Sequence, residues 1–337
     1  MLRPVFFSIF FLMFVFHLGL YSPFINFSGK ENKILIRYGT SLKDFLNILE
    51  KEKIIHNKNI FLLLFKIYSP KFKPVAGEWK IAKGNNIIKT LKNIHNAEIV
   101  TKVIITIPEG FELRKILKLI SKKTGIPFEE LRDIAYNPIL FRDIFENETP
   151  PNLEGYLFPD TYEIPLYYSP EKILRIMINR LFEALNELGY DTIKYRLKLN
   201  LHQILTLASI VEKEALYDSE KKVIAGVYYN RLKRNIPLQA DPTIQYLLPE
   251  PLFPLPLKFL KLDSPYNTYR KRGLPPTPIC SPGKASIEAV LYPAETDYLY
   301  FVAKGDGTHI FSKTFKEHLK NKKIAKRKWS ELGIYRR

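Results

Sequence analysis

Cysteine is almost missing from this chain of 337 residues: Cys280 stands alone. One thiol can form neither an intramolecular disulfide nor a cysteine-based metal site. Histidine is scarce too. His17, His56, His95, His202, His309 and His318 are scattered, and none completes a paired zinc-ligand motif, so neither metal nor cofactor is expected. Zinc-finger spacing and aromatic RNA-binding motifs are absent. The lysines are spread along the chain rather than gathered in an arm, so no nucleic-acid partner is expected. Lys304-Gly-Asp-Gly307 is not a phosphate loop, since the residues after it read as a return strand rather than a helix. The chain holds no internal repeats.

What the chain has in quantity is positive charge and apolar side chains. Lysine and arginine number 52 against 34 acidic residues, a net charge of +18. Such a balance suits an anionic partner, and without nucleic acid the choices are anionic lipid and acidic glycan. The hydrophobic fraction of 46% and the length fit two or three domains with real cores. Val5 to Leu20 is a nearly unbroken apolar run, interrupted only by Ser8 and His17. With its flanks it suffices for one transmembrane helix over 5–24, behind a short cytoplasmic N-terminus at 1–4. A cleaved signal peptide would want small residues at its end, and Gly19-Leu-Tyr-Ser-Pro-Phe24 offers no such pair. Charge alone does not fix orientation, because Arg3 precedes the run while Lys30, Lys33 and Arg37 follow it.

The rest reads as α+β. After a linker at 25–32, Lys33 to Gly39 suggests a strand and turn. Ser41-Leu-Lys-Asp44 resembles a capping box opening a helix to about Lys53. A second helix spans about Asn59 to Tyr68, and Gly77 to Gly84 reads as strand and turn. The order strand–helix–helix–strand describes a small LysM-like unit, assigned to 33–100, although periodicity alone fits any small α+β unit. A helix from Asn86 to Asn96 follows. Residues 101–337 form a larger mixed α+β domain. It opens with a β-branched strand, Thr101 to Ile107, and a helix from Leu113 to Lys123 that Gly125 ends. Short helices and aromatic loops are expected from there to Gly189, among them the ordered loop Asn152 to Tyr162. Next come a helix from Gln203 to Ala215 and another capped by Asp218 or Ser219. A proline-rich connection, a helix at 286–291, a hairpin from Tyr298 to Phe311 and a basic tail complete the chain.

The chemistry concentrates between 202 and 245. On the helix from Gln203 to Ala215, Leu201, Leu205, Ala208 and Glu212 share one face. Glu214 lies about 200° around from Glu212, so the two carboxylates cannot act as a pair. Glu212 continues a stripe of small and apolar residues, where desolvation favours a carboxyl that keeps its proton. The plain alternative is a polar helix end with neighbouring lysines. Gln239-Ala-Asp-Pro-Thr243 reads as a polar turn, or as a wall whose amide, carboxylate and hydroxyl meet sugar hydroxyls. Ser264-Pro-Tyr-Asn-Thr268 and Glu154-Gly-Tyr156 carry the same two readings.

Taken in order, several motifs resemble the YceG-like family. They are the Pro-Glu-Gly turn at Glu109, Leu153-Glu-Gly-Tyr-Leu-Phe-Pro-Asp-Thr-Tyr162, Leu207-Ala-Ser-Ile-Val-Glu-Lys-Glu214 and Val227-Tyr-Tyr-Asn-Arg-Leu232. Leu238-Gln-Ala-Asp-Pro-Thr243, Ser264-Pro-Tyr-Asn-Thr-Tyr269, Tyr300-Phe-Val-Ala303 and Gly307-Thr-His-Ile-Phe-Ser312 follow. The resemblance covers essentially the whole chain. It implies an endolytic murein transglycosylase, a lyase anchored by a single span in the bacterial cytoplasmic membrane with its catalytic domain outside. Such an enzyme cuts the β-1,4 bond between N-acetylmuramic acid and N-acetylglucosamine within nascent peptidoglycan strands. It leaves 1,6-anhydro-muramyl ends and so terminates strand elongation. The resemblance places the catalytic acid in Val-Glu-Lys-Glu, assigned to Glu212 with Glu214 as the second choice. It needs no metal or cofactor, and its partners are glycan strands, the membrane and cell-wall synthases. Glu154, Tyr156, Gln239, Asp241, Thr243, Tyr266, Asn267 and Thr268 are the candidate substrate contacts. Two other functions share the motifs. One is a muramidase-type hydrolase, with Glu154 or Asp241 as second carboxylate. The other is a non-catalytic peptidoglycan-binding scaffold for synthases.

Overall fold

The computed structural model describes residues 31–82, 86–145, 148–194 and 198–331. The expected span at 5–24, residues 1–4, the turn at Gly84 and the last residues of the basic tail lie outside the described residues. Among those described, no helix is long and apolar enough to cross a membrane. The chain is mixed α+β and divides into two units. One holds residues up to Ile105 together with Ile120–Ile126 and Glu163–Ser169. The other holds Thr106–Leu119, Pro127–Tyr162 and Pro170 onward.

The first unit begins with β1 (Glu31–Ile36), α1 (Leu42–Lys51), α2 (Lys58–Tyr68), β2 (Gly77–Ala82), α3 (Ile87–His95) and β3 (Glu98–Val100). The expected linker is shorter than read, because β1 already starts at Glu31. The expected strand–helix–helix–strand order is present, and β3 adds a third strand. The antiparallel sheet runs β1-β2-β3, with Ile34 opposite Trp79 and Trp79 opposite Ile99. Gly77, Trp79 and Ile81 are buried and alternate with half-buried residues, the period-2 pattern of a one-sided sheet. The Trp79 ring packs tilted against that of Phe45, their centres 5.0 Å apart, and its indole donates to the Val75 carbonyl at 2.8 Å. Phe61, Leu64 and Phe65 of α2 and Leu91 and Ile94 of α3 close this core. Each helix starts on a side-chain cap: Ser41, Asn57 and Asn86 accept backbone N–H groups that would otherwise be orphaned.

β4 (Lys102–Thr106) pairs with β5 (Thr161–Pro165), a strand that begins at the end of the expected loop Asn152–Tyr162. The division between the units passes through both strands and through α4 (Leu113–Thr124). The second unit continues with α5 (Phe128–Ala135), α6 (Pro170–Glu187), α7 (Tyr190–Ile193), α8 (Leu201–Glu214) and α9 (Asp218–Lys233). After these come α10 (Asp241–Gln245), α11 (Lys284–Leu291), β6 (Tyr300–Ala303), β7 (His309–Ser312) and α12 (Phe315–Glu331). α6 corrects the expectation of short helices before Gly189. Ile173, Leu174, Met177, Ile178, Leu181, Ala184 and Leu185 bury one continuous helical face. α12 is a helix within the expected basic tail, to which the sequence reading gave no element. The start of α9 also differs: Tyr217 is the cap position with no side-chain bond, and Asp218 is already helical. At 241–245 the expected bend is a short helix, with Pro242 in the first turn, where its missing N–H costs nothing.

Candidate active site

α8 is the axis of the second unit. Every residue from Ile204 to Val211 is buried, and α9 and α11 pack against it. Its start is fixed by a capping box: Asn200 accepts the Gln203 N–H at 2.9 Å, and Gln203 accepts the Asn200 N–H at 3.0 Å. The helix leaves the core at Glu212 and Glu214, which enter different surroundings.

Glu212 is fastened to protein. Its Oε2 accepts the Ser286 hydroxyl at 2.5 Å, the Gly283 N–H at 3.1 Å and the Lys221 ammonium at 3.4 Å. Its side chain is 10% exposed and that of Lys221 4%. Gly283 precedes α11 and Ser286 lies in its first turn, so Glu212 satisfies N-terminal groups of α11 that the helix itself cannot. Lys221 also pairs with Asp218 at 2.8 Å. Beside them lies Glu109, a residue given no role from sequence. A Cβ on Gly283 would fall 2.0 Å from the Glu109 Cδ, so only glycine lets that carboxyl lie there. Burial, and then the charge of Glu212, raise the Glu109 pKa above the usual carboxylate value.

Glu214 is half-buried and has one hydroxyl partner. It accepts the Tyr228 phenol at 2.8 Å. Burial pushes its pKa up to about 7, and the nearby charge of Asp241 adds to the rise. The Tyr228 bond and Arg231 pull it the other way. A carboxyl in that range still carries a proton near neutral pH, which suits a general acid. Asp241 is exposed and accepts the Tyr269 phenol. Gln239, exposed two residues before it, is held at φ 51°, a left-handed conformation unusual outside glycine. That strain is sustained from both sides. Its N–H donates to the Thr268 carbonyl at 3.0 Å, and its side-chain oxygen accepts from Arg231 at 3.4 Å. Arg231 is 7% exposed and ties the wall together. It donates to the carbonyls of Leu299 at 2.6 Å and Leu238 at 2.8 Å, and sits 5.1 Å from the centre of the Tyr300 ring.

The other expected contact residues divide by exposure. Asn267, Thr268 and Thr243 are buried and bonded internally. Asn267 donates to the Leu260 and Leu262 carbonyls, at 3.0 and 2.7 Å. Thr243 donates to the Ala240 carbonyl at 2.7 Å, and Thr268 accepts the Ala240 N–H at 3.0 Å. Thr243 and Thr268 thereby hold the segment that presents Gln239 and Asp241, and Asn267 holds the loop before it at 260–262. Tyr156 is 2% exposed and bonds His202 Nδ1 at 2.9 Å. Tyr266 is half-buried, with its hydroxyl 2.7 Å from that of Thr277. Glu154 is 2% exposed: it accepts the Leu113 N–H at 2.8 Å and the Tyr246 phenol at 3.0 Å, and burial pushes its pKa up to about 8. No group of three or more metal-binding side chains occurs among the described residues.

Residues 34–324 match the model of the YceG-like family. The chain belongs to the YceG-like family. A relative in Bacillus subtilis (strain 168), named endolytic murein transglycosylase, is 33% identical over 92% of this chain and 89% of its own length. A Streptococcus pneumoniae protein of the same name is 30% identical over 87% of this chain, which spans 58% of that longer relative. The crystal structure of a YceG-like protein from Listeria monocytogenes superposes with a TM-score of 0.59 at 34% identity, covering 87% of this chain and 99% of that one. Within this YceG-like chain, sequence reasoning gave no role to Tyr228, Arg231 or Tyr269. All three lie in the motifs that carry the resemblance, and that was the only signal pointing to them.

Proposed function

We propose that this YceG-like protein is a peptidoglycan lytic transglycosylase, a lyase acting inside nascent glycan strands, and that Glu214 rather than Glu212 is its acid. The observation that carries this reading is the Glu214 carboxyl, which accepts the Tyr228 phenol and is raised to about 7 by burial and by the charge of the exposed Asp241. Glu212 is a poorer donor because Ser286, Gly283 and Lys221 already occupy its Oε2. The names of the B. subtilis and S. pneumoniae relatives support the reaction class.

In the proposed reaction Glu214 gives its proton to the bridging oxygen between N-acetylmuramic acid and N-acetylglucosamine. The C1–O bond breaks, its electron pair stays with the departing sugar, and an oxocarbenium-like centre forms at C1. Glu214, now a carboxylate, takes the proton of the muramyl C6 hydroxyl as that oxygen closes on C1. One residue serves as acid and then base, and no water is consumed. Asp241 and Gln239 are the proposed sugar contacts. Glu212 is a positioning residue that holds α11 against the end of α8. Residues 5–24 are the proposed anchor in the cytoplasmic membrane, with both units outside it. The strand–helix–helix–strand order of the first unit supports a LysM-like role in holding glycan, and cell-wall synthases are the proposed protein partners.

Mass spectrometry of glycan digested by the full chain tests the reading. The wild type releases anhydro-muramyl ends and Glu214→Gln releases none. Glu212→Gln, whose amide oxygen can still accept from Ser286 and Gly283, retains them at reduced rate. Reducing ends would instead indicate the muramidase-type reaction with Asp241 as base. Undiminished product from Glu214→Gln would refute the assignment.

A further inference from the structure

The helix α2 is apolar on two faces, and the core of the first unit uses only one. Phe61, Leu64 and Phe65 point inward and are at most 4% exposed. Ile60, Leu63 and Ile67, spaced i, i+3 and i+7, make a second stripe 37%, 50% and 60% exposed. A helix that is apolar all round is normally covered on all sides. An apolar stripe left outside by a soluble unit marks a contact surface.

The charge around the stripe bears on what covers it. Lys66 lies on the same turn, exposed, and Lys71 and Lys73, also exposed, follow the helix. Over residues 31–105, fourteen Lys and Arg stand against six Asp and Glu, a net charge of +8. Apolar residues bordered by lysines are the pattern of a helix lying in the interface of an anionic bilayer. Chain connectivity points the same way. The apolar run ends at Leu20, and β1 begins at Glu31. The ten intervening residues reach at most about 35 Å even when fully extended. If the run is in the membrane, this unit cannot leave the headgroup region by more than that.

We propose that the Ile60–Leu63–Ile67 stripe of α2 docks on the anionic surface of the bilayer that holds the anchor. The inference rests on the anchor reading of residues 5–24. Leu63 and its two neighbours enter the headgroup–acyl boundary, while the lysines meet lipid phosphates. The first unit is thereby held down on the membrane rather than swinging on its tether.

The full chain carrying Leu63→Cys, labelled with an environment-sensitive fluorophore, tests this in phosphatidylglycerol vesicles. Cys280 is buried and leaves the label to the new thiol. The proposal expects a blue-shifted emission that brominated lipid quenches. It expects little shift for a label at the exposed Lys92→Cys of α3. Adding Ile60→Ser and Ile67→Ser should abolish the shift at position 63. A label at 63 that stays in water while the chain floats with the vesicles overturns the proposal and leaves the anchor standing. A blue shift that brominated lipid does not quench means a protein covers the stripe, and also overturns it. Equal shifts at 63 and 92 mean general adsorption and overturn it as well. A chain that does not float removes the anchor reading and this proposal with it.

Discussion

Two steps along a helix turn a side chain by about 200°, and at the end of α8 that rotation separates two kinds of carboxyl. Glu212 meets a serine, a backbone N–H and an ammonium, whereas Glu214 meets one phenol and a neighbouring charge of its own sign. The second setting favours the protonated form, and two substitutions should move its pKa in opposite directions. Asp241→Asn removes a charge that raises the Glu214 pKa, so the alkaline limb of the pH–rate profile should fall below about 7. Tyr228→Phe removes a hydrogen bond that lowers it, so that limb should move up. Initial rates across pH 5 to 9 for both variants check the signs, and a shift of both in one direction would contradict the assignment. The loop residues are a different lesson at this scale. Asn267, Thr268 and Thr243 look in the sequence like sugar ligands, because they are short, polar and clustered. Their polar atoms turn inward to backbone groups at 240, 260 and 262, a direction no spacing rule specifies.

Individual elements show where local sequence was sufficient. Ser41 capped α1, and the turn at Lys304 to Gly307 joins β6 to β7, both as their residues suggested. The long α6 was missed, although its buried face repeats at helical spacing, because the aromatic loop before it masked the pattern. Three-residue β3 and five-residue β5 were not legible, because strands that short exist only through their partners. Two predictions belong here. Glu154 accepts the Leu113 N–H that opens α4. Its folded pKa, about 8, exceeds the usual carboxylate value, so its stabilising effect is complete at low pH and is lost as pH rises towards 8. The melting temperature of Glu154→Gln should therefore fall less between pH 5 and 8 than that of the wild type. A steeper fall would contradict this. In α9, a Cβ at Gly226 would meet the Ala294 carbonyl oxygen at 2.5 Å, a backbone atom that cannot step aside. Gly226→Ala should cost about 1–3 kcal/mol in urea unfolding, despite alanine's better helix propensity.

For the whole molecule, the dominant property is the net charge of +18. Peptidoglycan stems carry carboxylates, so attraction should contribute to substrate capture and weaken with salt. The screening length shrinks from about 10 Å at 0.1 M to about 3 Å at 1 M. KM for peptide-bearing glycan should rise several-fold over that range, while KM for strands stripped of peptides should change little. Equal salt dependence for the two substrates would assign the charge to the membrane alone. Composition revealed this property at once. Length and composition suggested more than one domain but not where the two units divide, because that division runs through β4, β5 and α4 rather than through a linker.

The account stands on the proton held by Glu214. Titration of the glutamate carboxyl carbons by 13C NMR, wild type against Glu214→Gln, reads it directly. One resonance, absent from the variant, should titrate near 7. If the resonance lost in the variant titrates at the ordinary value near 4.5, the proposed acid is already ionised at neutral pH and the mechanism fails.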